Sequence, residues 1–143
     1  MEALIRKYTN FQKAHQALRR AIAAQQQLHN TIAADSSDLD DLISAGVIQH
    51  FEIAYETAWK FLKQYIYDIY NVEVTSPKTT FRACLTHNLL PAETVDELSE
   101  LADARNMTTH MYDQVLAQEV CNAVIKHYQA LGKILEHIHI APK

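Results

Sequence analysis

Glycine occurs only twice and proline three times in this 143-residue chain. Tight reversals lean on these two residues, so their scarcity argues against a sheet-rich fold and favours long, uninterrupted helices. The two cysteines, Cys84 and Cys121, are too few and too far apart for a disulfide scaffold or a zinc site. No apolar run approaches the roughly 20 residues needed to cross a bilayer. Met1-Glu2-Ala3-Leu4 lacks the charged-then-apolar layout of a secretory leader. These absences predict a reduced, cytoplasmic protein with no membrane partner. A net charge of -4 argues against a general polyanion binder, but leaves room for a local basic cleft.

What is present is helical rhythm. Leu4, Tyr8, Phe11, His15, Leu18, Ile22, Gln25 and His29 advance in steps of three and four. They predict a first helix over about Glu2 to Ala34, with an apolar first half and a polar second half. Asp35-Ser36-Ser37-Asp38 supplies N-caps for a second helix over about Leu39 to Tyr70. The core stripe of that helix is Ile43, Val47, Phe51, Ala54, Ala58, Phe61 or Leu62, Tyr65 and Ile69. Gly46 lies inside it at a cost of ~1 kcal/mol relative to Ala, unless close helix packing needs its small size.

Ser76-Pro77 predicts a helix start, with Ser as N-cap and Pro in the first turn of a short helix running to about His87. Val95, Leu98, Leu101 and Ala102 mark a fourth helix that carries Arg105 and Asn106. Asp113 is the N-cap expected for a last helix, with Ala117, Val120, Val124, Tyr128, Leu131, Leu135 and Ile138 facing inward. The remainder, from His137 to Lys143, reads as a fraying tail. The fold expected is a single all-α domain over 1–143, an antiparallel up-and-down four-helix bundle with one additional short helix.

Arg105-Asn106-Met107-Thr108-Thr109-His110-Met111-Tyr112-Asp113 gathers a guanidinium, an amide, hydroxyls, an imidazole, a phenol and a carboxylate near a helix end. Such groups suit phosphodiester cleavage without a metal. His110 titrates near neutrality and can take a proton from a ribose 2′-OH or give one to the leaving oxygen. Arg105 can hold the phosphate and stabilise the charge that develops on it, and Asn106 can orient substrate or imidazole. Residues five apart on a helix diverge by about 140°. Arg105 and His110 therefore converge only where the helix ends or loosens, with Thr108-Thr109 a suitable place, or where a second subunit brings another copy opposite. On chemistry alone, a capping or buried polar cluster competes with catalysis.

The string resembles the R-x-x-x-x-H motif of the HEPN superfamily, and its extension through Tyr112 resembles the R-x-x-x-x-H-x-Y form of HepT-like toxins. Upstream, Ala45-Gly46-Val47-Ile48-Gln49-His50-Phe51-Glu52-Ile53-Ala54-Tyr55-Glu56-Thr57-Ala58-Trp59-Lys60 resembles the branch named nucleotidyltransferase substrate-binding proteins. The resemblance implies a homodimer whose motifs face a shared cleft, and a minimal nucleotidyltransferase as partner. It implies Arg105 and His110 as catalytic residues of an endoribonuclease toxin, Asn106 in support, and Tyr112 as the site where the partner adds AMP. RNA or a nucleotide is the implied ligand, with no cofactor. The alternative is a non-catalytic subunit that holds substrate for the nucleotidyltransferase.

Gln49, Glu52, Glu56 and Lys60 step along one face of the second helix. They read either as a solvated face with a Glu56–Lys60 ion pair, or as a cleft wall in which Glu52 or Glu56 orients Arg105. Tyr55 and Trp59 flank that face and could make it a partner surface, with Thr109 and Asp113 adding to the cleft. Trp59 reads as an interior or interface anchor rather than a base-stacking platform. His137 and His139 are two apart and fall on different helix faces, and His50 lacks the His-x-x-x-His spacing of helical zinc sites, so no metal site is expected. Cys84 and Cys121 read as buried small residues.

Overall fold

A computed structural model of the chain describes the backbone over residues 1–31, 37–108 and 114–140, and side chains over 1–28, 42–103, 105 and 123–140. Among the described residues five helices follow in order: α1 (Glu2–Thr31), α2 (Ser37–Tyr70), α3 (Pro77–Thr86), α4 (Ala92–Thr108) and α5 (Gln114–His137). Among the described residues there is no strand. The caps expected at Asp35, Ser36 and Asp113 and the side chain of Cys121 lie outside the described residues.

The long helices run antiparallel in consecutive pairs. Lys7 near the start of α1 donates to Gln64 near the end of α2 at 3.0 Å, whereas Gln25 late in α1 donates to Ser44 early in α2 at 3.3 Å. In the same way α4 runs against α5 through Glu97–Lys133 and Glu100–Lys126. The short α3 packs against α2 and α4. The expected bundle of four main helices plus one short one is thus the observed fold.

All four phenylalanines, Phe11, Phe51, Phe61 and Phe81, are fully buried, and rings carry much of the core. Tyr8 and Phe11 both pack on Phe61. Phe51 reaches α5 by stacking on His127 with ring centroids 5.5 Å apart. The α1 stripe holds as expected at Leu4, Tyr8, Phe11, Leu18 and Ile22. On α2 the inward face includes Val47, Phe51, Ala54, Ala58, Phe61 and Leu62, but Ile69 is exposed and Ile66 is buried in its place. A 3.6-residue helix drifts off a fixed three-four rhythm over 34 residues, which moves the last turn of the stripe round by one position.

Local sequence sets the ends. Ser76 accepts from the Thr79 amide while the Thr79 hydroxyl accepts from the Ser76 amide, with Pro77 in the first turn, so α3 opens on a capping box. Asn71 and Asn88 follow α2 and α3 at φ 55° and 57°, the left-handed conformation that asparagine tolerates better than most residues. Two expectations need correction. A Cβ at Gly46 would meet nothing within 4 Å, so close packing does not explain that glycine. The C-terminal residues are not simply frayed: past the end of α5 at His137, Ile138 is buried and Ile140 packs on the core.

The glycine that does matter for packing is Gly132. His15 lies against it, with Nε2 3.3 Å from where a Cβ would sit, stacks on Tyr128 at 4.3 Å, and bonds the Tyr128 carbonyl at 3.1 Å. Burial pushes the pKa values of both His15 and His127 below the ordinary imidazole value. The folded state then binds fewer protons than the unfolded chain once pH falls below about 6.5, and stability drops with it. The melting temperature is expected to fall between pH 7 and pH 5, and to fall less steeply in a His15→Gln/His127→Gln variant. Equal slopes in the two proteins would contradict this assignment.

Candidate functional site at the end of helix α4

Arg105 occupies the last turn of α4, where a cation complements the carbonyl-rich end of the helix dipole. Its Nη2 lies 3.5 Å from Oε1 of Glu56 on α2. The other carboxylate oxygen, Oε2, accepts from the indole Nε1 of Trp59 at 3.1 Å and lies 3.8 Å from Nζ of Lys60. One carboxylate therefore meets a guanidinium, an indole and an ammonium. Such placement follows from helical spacing: Glu56, Trp59 and Lys60 share a flank of α2 at steps of three and four.

Below this cluster lies Tyr55. It follows Phe51 by four residues, so it turns with the apolar face and is 2% exposed. Burial, with the negative charges of Glu56 and Asp103 adding and Arg105 opposing, pushes its phenol up to about 12. The phenol is neutral at any physiological pH. Tyr55 is therefore a floor beneath the cluster and not the exposed partner surface expected of it. Asp103, two residues before Arg105 on α4, pairs with Lys78 of α3 at 2.6 Å and ties the end of α4 to a third element.

Of the two acidic residues considered for Arg105, Glu56 is placed against it. Glu52 is half-buried and Gln49 exposed on the preceding turns of α2. The backbone of Asn106 continues α4, while its side chain lies outside the described residues. Thr109, His110, Tyr112 and Asp113 also lie outside them. Sequence reasoning missed the Lys78–Asp103 pair, which spans 25 positions and has no local pattern. It also missed the pairing of His127 with Phe51 across α2 and α5.

The sequence model of the family described as nucleotidyltransferase substrate binding protein like matches residues 6–139. The chain belongs to this family. The match spans both stretches that carried the resemblance, on α2 and at the end of α4. Among solved structures, a Thermus thermophilus protein matches with a TM-score of 0.64 and 24% identity, over 83% of this chain and 96% of that one. A tri-AMPylated HEPN toxin of Shewanella oneidensis, in complex with MNT antitoxin, matches with a TM-score of 0.67 and 17% identity, over 88% of this chain and 93% of that one. At these identities the two likenesses are of fold alone, and this member of the family shares the helical fold of both. No curated protein matches it in sequence.

Glu56 and Arg105 are both about one-third exposed, so their ion pair is worth at most about 1 kcal/mol. Replacing Glu56 with Ala is expected to move the urea midpoint little while shifting the emission of Trp59, which loses its hydrogen-bond acceptor. A large loss of stability would show that Glu56 holds the fold and not merely the site.

Proposed function

We propose that this chain is the toxin-like subunit of a two-component system with a minimal nucleotidyltransferase, and that it cleaves RNA at a site formed by Arg105 and His110. The observation that carries the reading is Arg105 itself. A guanidinium at the end of α4, steadied by Glu56 and still partly open to solvent, is suited to hold a phosphodiester. His110 follows five residues later in the sequence.

In the reaction, His110 takes the proton from a ribose 2′-OH and the 2′ oxygen attacks the adjacent phosphorus. The bond from phosphorus to the 5′ oxygen breaks, and that oxygen takes up the proton that His110 received, which returns the imidazole to its neutral form. The products are a 2′,3′-cyclic phosphate and a 5′-OH end. Arg105 stabilises the charge gathered on the phosphoryl oxygens, Asn106 supports, and Glu56 is a positioning residue for Arg105. A homodimer would set two such motifs across one cleft, and RNA would enter between them.

The fold likeness to a toxin solved with its MNT antitoxin supports the partner. That toxin is tri-AMPylated, which supports the same kind of modification here, and Tyr112 is the candidate that the R-x-x-x-x-H-x-Y string offers. Its hydroxyl would attack the α-phosphorus of ATP and release pyrophosphate. The added phosphate would repel RNA from the site by like charge. A second reading is favoured by the family's own description: a non-catalytic subunit that holds substrate for the nucleotidyltransferase.

Expression of the wild-type chain without its partner is expected to arrest growth and degrade RNA. Arg105→Ala and His110→Ala variants that fold normally are expected to lose at least roughly 100-fold in cleavage, as removal of a general base or an oxyanion-stabilising group usually costs. Wild-type protein that cleaves nothing and permits growth, yet binds the nucleotidyltransferase, would decide for the second reading.

A further inference from the structure

A concave site opens beside Trp59. Its volume is about 430 Å³, within the range of small-molecule sites, and three segments wall it. Lys7 comes from α1, Trp59, Lys60, Lys63 and Tyr67 from α2, and Val72 to Thr75 from the connection to α3. Val72 and Val74 pack against the body of the protein and give the site an apolar floor. Three ammonium groups face one carboxylate, Glu73, in a chain whose net charge is -4.

The lysines are not simply neutralised by one another's neighbours. Lys60 shares Glu56 with Trp59 and Arg105. Among the described residues, Lys7 instead meets the neutral amide oxygen of Gln64 at 3.0 Å, and Lys63 sits 5.9 Å from the centroid of the Trp59 ring. An amide and a ring face offset a positive charge weakly compared with an anion. The indole is fixed by its bond to Glu56, and Tyr67 is 47% exposed at the same wall. The pocket thus combines clustered cations, a rigid aromatic plane and an apolar floor. Phosphate needs the first, and a nucleobase needs the second and third.

We infer that this pocket binds a nucleotide unit, with its phosphate on Lys7 and Lys63 and its base against Trp59. A phosphate that engages Lys63 draws the ammonium off the indole and opens the ring face for stacking. Trp59, read from sequence as an anchor, serves two places here: its Nε1 holds Glu56 for the Arg105 cluster, and the same residue lines the pocket. The same chemistry is offered by a free mononucleotide or by one residue of an RNA strand that passes the cleft. The inference does not depend on cleavage at Arg105 and His110.

Trp59 is the sole tryptophan of the chain, so its fluorescence reports on this pocket directly. The full-length protein should be titrated with AMP, with ADP and with a short 2′-O-methylated oligoribonucleotide, which cannot undergo attack by its own 2′ oxygen. Saturable quenching that weakens with added salt is expected, and whichever of the nucleotides or the oligomer binds more tightly identifies the source. Lys7→Gln and Lys63→Gln should each weaken it at least tenfold with unchanged circular dichroism, while Lys63→Arg should retain it. No quenching by any of the three, quenching untouched by both glutamine variants, or equal affinity for inorganic pyrophosphate would overturn the assignment.

Discussion

The Glu56 carboxylate is the joint on which the site depends. It lies between two helices that are distant in sequence, receives the Trp59 indole and the Lys60 ammonium from its own helix, and meets Arg105 from α4. None of these contacts is strong, since the groups are partly solvated. Their value is geometric. Arg105 has a long, flexible side chain, and a fixed partner reduces the number of positions its fork can take, as the proposed hold on a phosphate requires. The same carboxylate fixes the plane of Trp59 and so links the Arg105 cluster to the lysine pocket behind it.

What allows a carboxylate to stand there is the hydrophobic pattern of α2. Phe51, Ala54, Tyr55, Ala58, Phe61 and Leu62 are all buried, which fixes the rotation of the helix about its axis. With that rotation set, Glu56 and Lys60 can only emerge at the edge of the core, and Trp59 lies half in and half out. A change that turned α2 by one residue would bury charge and expose phenylalanine together. The core therefore specifies the site, and the polar cluster adds little to stability in return.

How much of this is legible in the sequence follows from the range of each interaction. The start of α3 is legible because Ser76, Pro77 and Thr79 act within one turn. The buried faces of α1 and of most of α2 are legible because periodicity is local. The last turn of α2 is not, since small errors in helical phase accumulate and exchange Ile69 for Ile66. Arg105 and Glu56 can be nominated singly from helix position and spacing. Their pairing leaves Glu52 and Glu56 as equals until α2 and α4 are placed side by side. Tyr55 reads outward from its polar neighbours, although its four-residue step from Phe51 points inward. Gly132 and the Lys7 wall of the pocket have no local signature, because each depends on what a distant helix brings to it.

The central claim is that Arg105 and His110 cleave RNA by internal attack of the 2′ oxygen, and the ends of the product record that chemistry directly. A defined RNA should be incubated with the purified chain in a chelating buffer and its fragments analysed by mass spectrometry. The account predicts 2′,3′-cyclic phosphate and 5′-hydroxyl ends. Intact RNA, or fragments bearing 3′-hydroxyl and 5′-phosphate ends, would contradict it.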